Sequence, residues 1–412
     1  MTKPAPFVNP FRPGAGHAPP YLAGRTHEKE AFRSLLKQKT VLNNLVLTGL
    51  RGVGKTVLLD ELKPIAMEAK WVWVGTDFSE STCVNEETLA IRLITDLSVF
   101  TAGITVQKNI QNIGFGKKIT EDFRLDYSGL IYLFKEAPGL VSDKIKALLQ
   151  FVWKCLKGSN VEGIVFAYDE AQTMSDHAAK EQYPLSLLLD VFQSVQKTDI
   201  PFMLVLTGLP TLFPKLVEAR TFAERMFQVQ TLGKLDERES AEAIKVPIDK
   251  TGCPVTFTPE TVELIVKTSA GYPFFIQFIC KELFDAFLQQ ITKSGKPSPV
   301  PMREIVKKLD KDFFSGRWAR ATDRQRTLLS VISKLDSCDD EFTVQEIVEK
   351  SKSSSRPFSA SHVNQMLSDL GASGLIYKNR YGKYAFAVPL LGQFIRRQEQ
   401  ELQQLSLPGL GK

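Results

Sequence analysis

The chain has 412 residues, 43% hydrophobic and 24% charged, with a formal net charge of +6. That is the balance of an ordinary soluble globular protein of two or three domains. No apolar stretch reaches the roughly 18–20 residues that a membrane span requires. The Pro- and Gly-rich segment Met1 to Pro20 lacks the apolar core of a secretory signal, so a cytoplasmic protein is expected. The five cysteines (Cys83, Cys155, Cys253, Cys280, Cys338) form no C-x-x-C pair and read as buried small residues rather than a disulfide or metal framework.

In chain order, residues 1–24 read as an extended arm, closed by Leu22-Ala23-Gly24-Arg25. A helix is expected over Glu28 to Lys39, then a short buried strand at Leu45-Val46-Leu47. Residues 49–56 read Gly-Leu-Arg-Gly-Val-Gly-Lys-Thr, a G-x-x-x-x-G-K-T phosphate loop in the strand–loop–helix setting it requires. Its glycines let backbone N–H groups converge on a phosphate, and the following helix adds partial positive charge. Lys55 is expected to reach the β- and γ-phosphates of ATP or ADP, and the Thr56 hydroxyl to coordinate Mg²⁺. The expected nucleotide contacts are Gly49, Gly52, Val53, Gly54, Lys55, Thr56 and Val57, with Arg25 at the arm's end and Pro273 further on.

A second strand is Trp71 to Val74, and a helix covers Asn85 to Phe100. Residues 101–135 break the alternation and read as short strands or an irregular insertion, with turn signals but no phosphate-site spacing at Asn112 to Gly116. A helix follows over Asp143 to Lys157. The apolar runs Gly163 to Tyr168 and Pro201 to Leu206 are two more strands, separated by a helix over Pro184 to Val195. Continuous apolar strands alternating with helices predict a parallel sheet covered on both faces.

The acid pair Asp169-Glu170 ends a buried strand after a phosphate loop. There an aspartate holds Mg²⁺, and the adjacent glutamate acts as general base toward water. Thr207 ends the next strand, where it orders that water, touches the γ-phosphate or merely caps the turn before Leu209-Pro210. Arg220 and Arg225 are candidates for an arginine presented to a neighbouring subunit's γ-phosphate; the alternative is surface pairing with Glu218 or Glu224. Gly271-Tyr272-Pro273 approaches the adenine or simply starts a helix, since Pro suits the first turn.

Residues 233–295 read as a helical lid (Glu237 to Lys245, Glu260 to Thr268, Pro273 to Gln290), joined by a Ser/Pro-rich linker at Ser294 to Pro299 and a linker helix within 296–320. Residues 321–397 change rhythm: three helices (Asp323 to Leu335, Val344 to Lys350, Ala360 to Leu370), then a hairpin (Leu375 to Lys378, Lys383 to Ala387), and finally a tail, 398–412. Three helices and a hairpin make a winged helix. The expected fold is therefore α/β: a P-loop NTPase parallel sheet with helices on both faces (25–232), followed by an α-helical lid and a winged-helix domain.

Together these segments resemble the AAA+ ATPases of the origin-recognition and archaeal replication-initiator type. More closely they resemble a widespread group of bacterial ATPases with that core. The group's pattern reads here as Asn9-Pro10-Phe11 to Arg25, Gly49 to Thr56, Asp169 to Gln172, Thr207 to Pro210, Ala219 to Phe227, Gly271 to Pro273 and Phe313 to Thr322, nearly the whole chain. Many AAA+ proteins carry a γ-phosphate-touching arginine just after the Gly-x-Pro position; here Phe274 and Phe275 stand there. That departure resembles signalling ATPases of the STAND class and implies a slow switch rather than fast processive turnover.

The winged helix leaves two functions open. In one, it binds double-stranded DNA through Ser359, Ser361, His362, Asn364 and Gln365 on its third helix and Lys378, Arg380, Tyr381 and Lys383 on its wing. Residues 311–397 carry 14 Lys/Arg against 9 Asp/Glu, a mild excess, and the third helix has neither Lys nor Arg. The chain is then an ATP-dependent, self-assembling factor in a DNA-associated process of replication, transposition or defence type. In the other, the winged helix binds a protein partner or locks the ADP state, and no DNA is bound.

Overall fold

The computed structural model describes residues 7–14, 16–38, 40–110, 119–294, 301–353, 356–380 and 382–405. The turn expected at Asn112 to Gly116, linker positions 295–299 and Tyr381 lie outside the described residues. The chain divides into two compact units: one made of residues 25–48 and 58–231, the other of 1–24, 49–57 and 232–412.

The first unit is built on β1 (Asn44–Gly49), β2 (Trp71–Val74), β3 (Thr105–Ile110), β4 (Ile119–Arg124), β5 (Gly163–Tyr168), β6 (Phe202–Gly208) and β7 (Phe227–Leu232). Five of these form one sheet in the order β2-β5-β6-β1-β7, and the β2–β5, β5–β6 and β6–β1 pairs are parallel. Every residue of β1, β5 and β6 is buried, as expected of strands covered on both faces. The helices Glu86–Thr101, Val141–Leu156 and Pro184–Gln196 supply the apolar cover, with Leu93, Leu149 and Phe192 among its fully buried members. Each such side chain contributes about 1.5–3 kcal/mol on leaving water. Phe166 meets Phe192 and Phe202 edge to face, with centroids 5.0 and 5.5 Å apart.

One buried polar residue fixes how β1 enters this sheet. Asn44 accepts hydrogen bonds from the Leu204 N–H (2.7 Å) and the Gln196 Nε2 (2.8 Å), and donates to the Met226 carbonyl (3.3 Å). A fully buried amide is stable only with its partners made, so Asn44 ties β1 to β6, to the helix before β6 and to the segment leading into β7.

The break in alternation between residues 101 and 135 is an antiparallel hairpin, with Thr105 paired to Arg124 and Ile110 to Ile119. The hairpin's second strand ends at Arg124. Asp126 then caps a helix, Tyr127–Glu136, by accepting the Gly129 N–H at 2.9 Å. The helix Leu212–Ala219 and strand β7 also have no counterpart in the sequence reading.

In the second unit the helices Glu237–Asp249, Pro259–Ser269 and Pro273–Ser294 pack around Ile244, Ile265, Ile276 and Phe284. The first of them opens with a capping box: Asp236 accepts the Glu239 N–H (2.7 Å) and Glu239 the Asp236 N–H (3.0 Å). The helix Met302–Leu309 continues through a π-helical turn, Asp310–Phe314, into Ser315–Trp318. Then come the helix Asp323–Ser333, β8 (Phe342–Thr343), the helices Val344–Ser351 and Ala360–Ala372, β9 (Ile376–Arg380), β10 (Lys383–Phe386) and a closing helix, Leu391–Leu405. The small sheet runs β8-β10-β9, antiparallel. The three helices and the hairpin expected between 323 and 387 are present, with β8 added as a third strand. No helix of the described residues is long and apolar enough to cross a membrane.

Candidate nucleotide site

The phosphate loop leaves β1 at Gly49 and closes as the helix Lys55–Glu68 begins. Gly52 and Gly54 have φ of +80° and +91°, which side-chain-bearing residues rarely adopt. The Lys55 ammonium is buried and donates to the Gly49 and Leu50 carbonyls, both at 3.0 Å. The loop thus wraps around its own lysine. A Cβ on Gly49 would come within 2.5 Å of the Leu232 carbonyl, and one on Gly54 would meet nothing within 4 Å. Val53 is buried and Thr56 and Val57 are half-buried. Left-handed glycines around a held lysine suit a polyphosphate.

This loop packs within its own unit. The Phe274 N–H donates to the Gly52 carbonyl at 3.1 Å, so Pro273 starts its helix directly against the loop. From the N-terminal arm, a Cβ at Gly16 would lie 3.7 Å from the Thr56 methyl. The arm itself is pinned to the helix Pro273–Ser294: the Asn9 amide donates to the Lys281 carbonyl (2.9 Å) and to Asp285 (2.8 Å), and Phe11 is buried beside Phe257 and Phe284.

In the sheet unit, Asp169 follows the carboxyl end of β5. Its backbone accepts the Phe78 N–H (2.9 Å) and donates to the Thr76 carbonyl (3.2 Å). Its buried carboxylate accepts the Glu170 N–H at 2.7 Å and the hydroxyl of Thr207, which is itself fully buried. Thr207 therefore donates its hydroxyl proton to Asp169. Glu170 is exposed, with left-handed backbone (φ 52°), and its carboxylate accepts the Gln172 amide. The Gln172 oxygen in turn accepts the Leu209 N–H at 3.0 Å, tying the acid pair to the end of β6.

Two carboxylates that the sequence reading did not assign stand near this pair. Burial, then the Asp169 charge, push the Asp60 pKa up; burial, then Asp169 and Glu170, do the same to Asp77. Such crowding of hard oxygen ligands suits a divalent cation. Among the described residues no three His, Cys, Asp or Glu side chains form a metal-ligand group. Asp77 could have been found as the polar residue ending the apolar run of β2; Asp60 carries no sequence signal beyond its place on the helix after the loop.

The other predicted residues are dispersed. Arg25 has φ 66° and pairs with Glu28 at 3.4 Å. Arg220, a candidate for a neighbouring subunit's γ-phosphate or for local pairing, forks onto Asp190 (2.9 and 2.7 Å) and donates to the Ser186 hydroxyl (2.7 Å) and the Ala219 carbonyl (2.9 Å). Arg225 is exposed. On the helix Ala360–Ala372, Ser361, His362, Asn364 and Gln365 are exposed, but Ser359 accepts the His362 N–H as N-cap and the Asn364 amide returns to the Ala360 carbonyl (3.0 Å). Lys378 is exposed on β9 beside Arg380, and Lys383 is half-buried on β10.

No curated protein matches the chain. A family model described as a domain of unknown function, DUF8462, matches residues 311–395. Among solved structures, the Walker-type ATPase PABY2304 of Pyrococcus abyssi is 15% identical, with 91% of this chain and 96% of that one covered at a TM-score of 0.57. The Aeropyrum pernix ORC2 protein, solved in ADPNP–ADP complexes, is 14% identical over 95% and 98% of the two chains, TM-score 0.54. Its ADP form gives 15% identity over 95% and 97%, TM-score 0.53. At these identities the likeness is one of fold, and it places the parallel sheet among P-loop NTPases with a helical C-terminal part.

Proposed function

We propose that this chain binds ATP with Mg²⁺, hydrolyses it slowly and uses the nucleotide state as a switch. The observation that carries the reading is the strand order. With β6 between β5 and β1, the carboxyl ends of all three strands fall on one edge of the sheet, where open parallel sheets bind ligands. The phosphate loop, Thr207 and Asp169-Glu170 follow or end those strands. Lys55 and the loop N–H groups would hold the β- and γ-phosphates; Thr56 and Asp169 would hold Mg²⁺, which would supply positive charge to offset that of the phosphates. Glu170, steadied by Gln172, takes the proton of the attacking water. Thr207 positions Asp169. Two neighbours of like fold, one a Walker-type ATPase and one solved in ADPNP–ADP complexes, support the same reading.

The test is ATP binding and phosphate release by the wild type and by Lys55→Ala. The variant should lose both, and unchanged turnover would remove the loop from the mechanism. For the biological role we favour a DNA-associated assembly, with the exposed polar face of the helix Ala360–Ala372 and the basic wing as the DNA surface. A duplex affinity that falls with salt, and larger particles on ATP, are its expected signs. A second reading, a nucleotide-gated regulator whose winged helix meets protein or locks the ADP state, is favoured by the aromatic contacts joining lid and C-terminal module. Phe275 stacks on Phe314 at 5.8 Å and Phe314 on Phe394 at 5.1 Å. A particle of constant mass that ignores duplex DNA would select it.

A further inference from the structure

Phe274 brings no charge to the phosphate loop, but it leads to a residue that does. Its ring lies 4.8 Å from that of Phe313, centroid to centroid. Phe313 carries the Arg317 guanidinium at 4.3 Å, and Arg317 donates to the Phe313 carbonyl at 2.6 Å. Phe313 belongs to the π-helical turn Asp310–Phe314, which Arg397 clamps by a two-bond fork onto Asp310 (2.8 and 2.6 Å). π-turns interrupt otherwise regular helices and recur at functional sites. Two rings in tilted contact and a clamped turn thus fix a guanidinium relative to the Gly52 carbonyl.

A second guanidinium comes from the loop itself. Arg51 lies between Gly49 and Lys55 in sequence, and its guanidinium stands 3.8 Å from where a Cβ on Gly374 would sit, just before β9. Arg51 and the exposed Arg320 are both close enough to act on Arg317. Burial lowers the Arg317 pKa first, and these two positive neighbours lower it further. Like charges gathered around a half-buried arginine are unfavourable unless an anion joins them, and guanidinium forks match phosphate oxygens.

We propose that Arg51, Arg317 and Arg320 bind the terminal phosphate of the nucleoside triphosphate held by the loop, so that the C-terminal module reads ATP against ADP. This rests on the phosphate-loop reading above. Because Arg51 also stands beside Gly374 and Arg317 lies in the segment leading into the module, gain or loss of that phosphate changes the charge balance where loop and module meet.

The test is calorimetric binding of the β,γ-imido analogue of ATP and of ADP, each with Mg²⁺, to the full chain. The wild type should prefer the analogue. Arg51→Ala and Arg317→Ala should each weaken the analogue by about tenfold, or about 1.4 kcal/mol, and ADP by less than about twofold. Arg317→Lys should keep part of the preference. Arg51 is exposed and stacks on no ring of the described residues, so its variant leaves the described aromatic packing intact. An unchanged preference in Arg51→Ala, or equal weakening of both nucleotides in both variants, overturns the proposal. So does loss of duplex binding with nucleotide preference intact, which would give the cluster to nucleic-acid phosphate. A wild type that binds neither nucleotide refutes the phosphate-loop reading itself; a wild type that binds both while the variants behave like it refutes only the arginine cluster.

Discussion

Arg220 and Arg225 are five residues apart and equal candidates from sequence, but their surroundings separate them. Arg220→Ala removes a two-bond fork onto Asp190, a bond to Ser186 and a bond to the Ala219 carbonyl at the end of the helix Leu212–Ala219. Both charged side chains are 37% exposed, so solvent screens the pair. An exposed pair alone is worth about 0.2–1 kcal/mol. The fork geometry and the two further bonds raise the expected loss to about 1–2 kcal/mol. In a double-mutant cycle with Asp190→Asn, urea unfolding should give a coupling of about 1 kcal/mol. Phosphate release per folded molecule should stay within about twofold of wild type, since a side chain held by four bonds in its own unit is not offered to a neighbour's nucleotide. Arg225→Ala should behave the other way, with stability changed by less than about 0.5 kcal/mol and turnover reduced. If Arg220→Ala keeps full stability and loses turnover by about a hundredfold or more, the ion pair does not describe the working state and the argument fails.

Three more outcomes follow from the geometry. Thr207→Val keeps the shape of β6 but leaves the buried Asp169 carboxylate without its hydroxyl donor. It should cost about 1–3 kcal/mol of stability and weaken Mg²⁺-dependent ATP binding, checked by thermal unfolding and by a Mg²⁺ titration of ATP affinity. Gly52→Ala places a Cβ 2.9 Å from that of Phe274 at φ +80°. It should lose about 1–2 kcal/mol and weaken ATP and ADP alike, unlike the arginine variants, by the same calorimetry. Glu346 caps the helix Val344–Ser351, and its pKa is lowered chiefly by the Thr343 hydroxyl bond. A folded pKa below the unfolded one stabilises above the unfolded value, about 4.3, and the gain is lost as pH falls through the folded value. Glu346→Gln should therefore flatten the acid limb of the unfolding curve, and an unchanged limb would deny the cap its role.

Where a sequence pattern has a single physical solution, the structure follows it. Val-, Leu- and Phe-rich runs without polar alternation become the buried parallel strands β1, β5 and β6. Gly52 and Gly54 of the loop take positive φ, as only glycine does without strain. What the sequence hides has physical causes. Strand β7 reads Phe-Gln-Val-Gln-Thr-Leu, and as an edge strand only Phe227, Gln230 and Leu232 are buried, so no apolar run announces it. The hairpin β3–β4 is rich in polar residues and is fixed by its own cross-strand ladder rather than by an apolar run. In the site, the loop and acid pair are legible because their chemistry demands fixed spacing. The Phe274–Phe313–Arg317 stack is not, because it joins residues some forty positions apart through ring contacts and a π-turn.

The measurement that bears most directly on the central claim is ATP affinity and phosphate release for the wild type, Lys55→Ala and Glu170→Gln side by side. The account predicts that the wild type binds and slowly hydrolyses ATP, that Lys55→Ala does neither, and that Glu170→Gln binds ATP as the wild type does but releases almost no phosphate. Wild-type turnover in Glu170→Gln would take the base role from that residue. Equal ATP binding by the wild type and Lys55→Ala would contradict the nucleotide site as a whole.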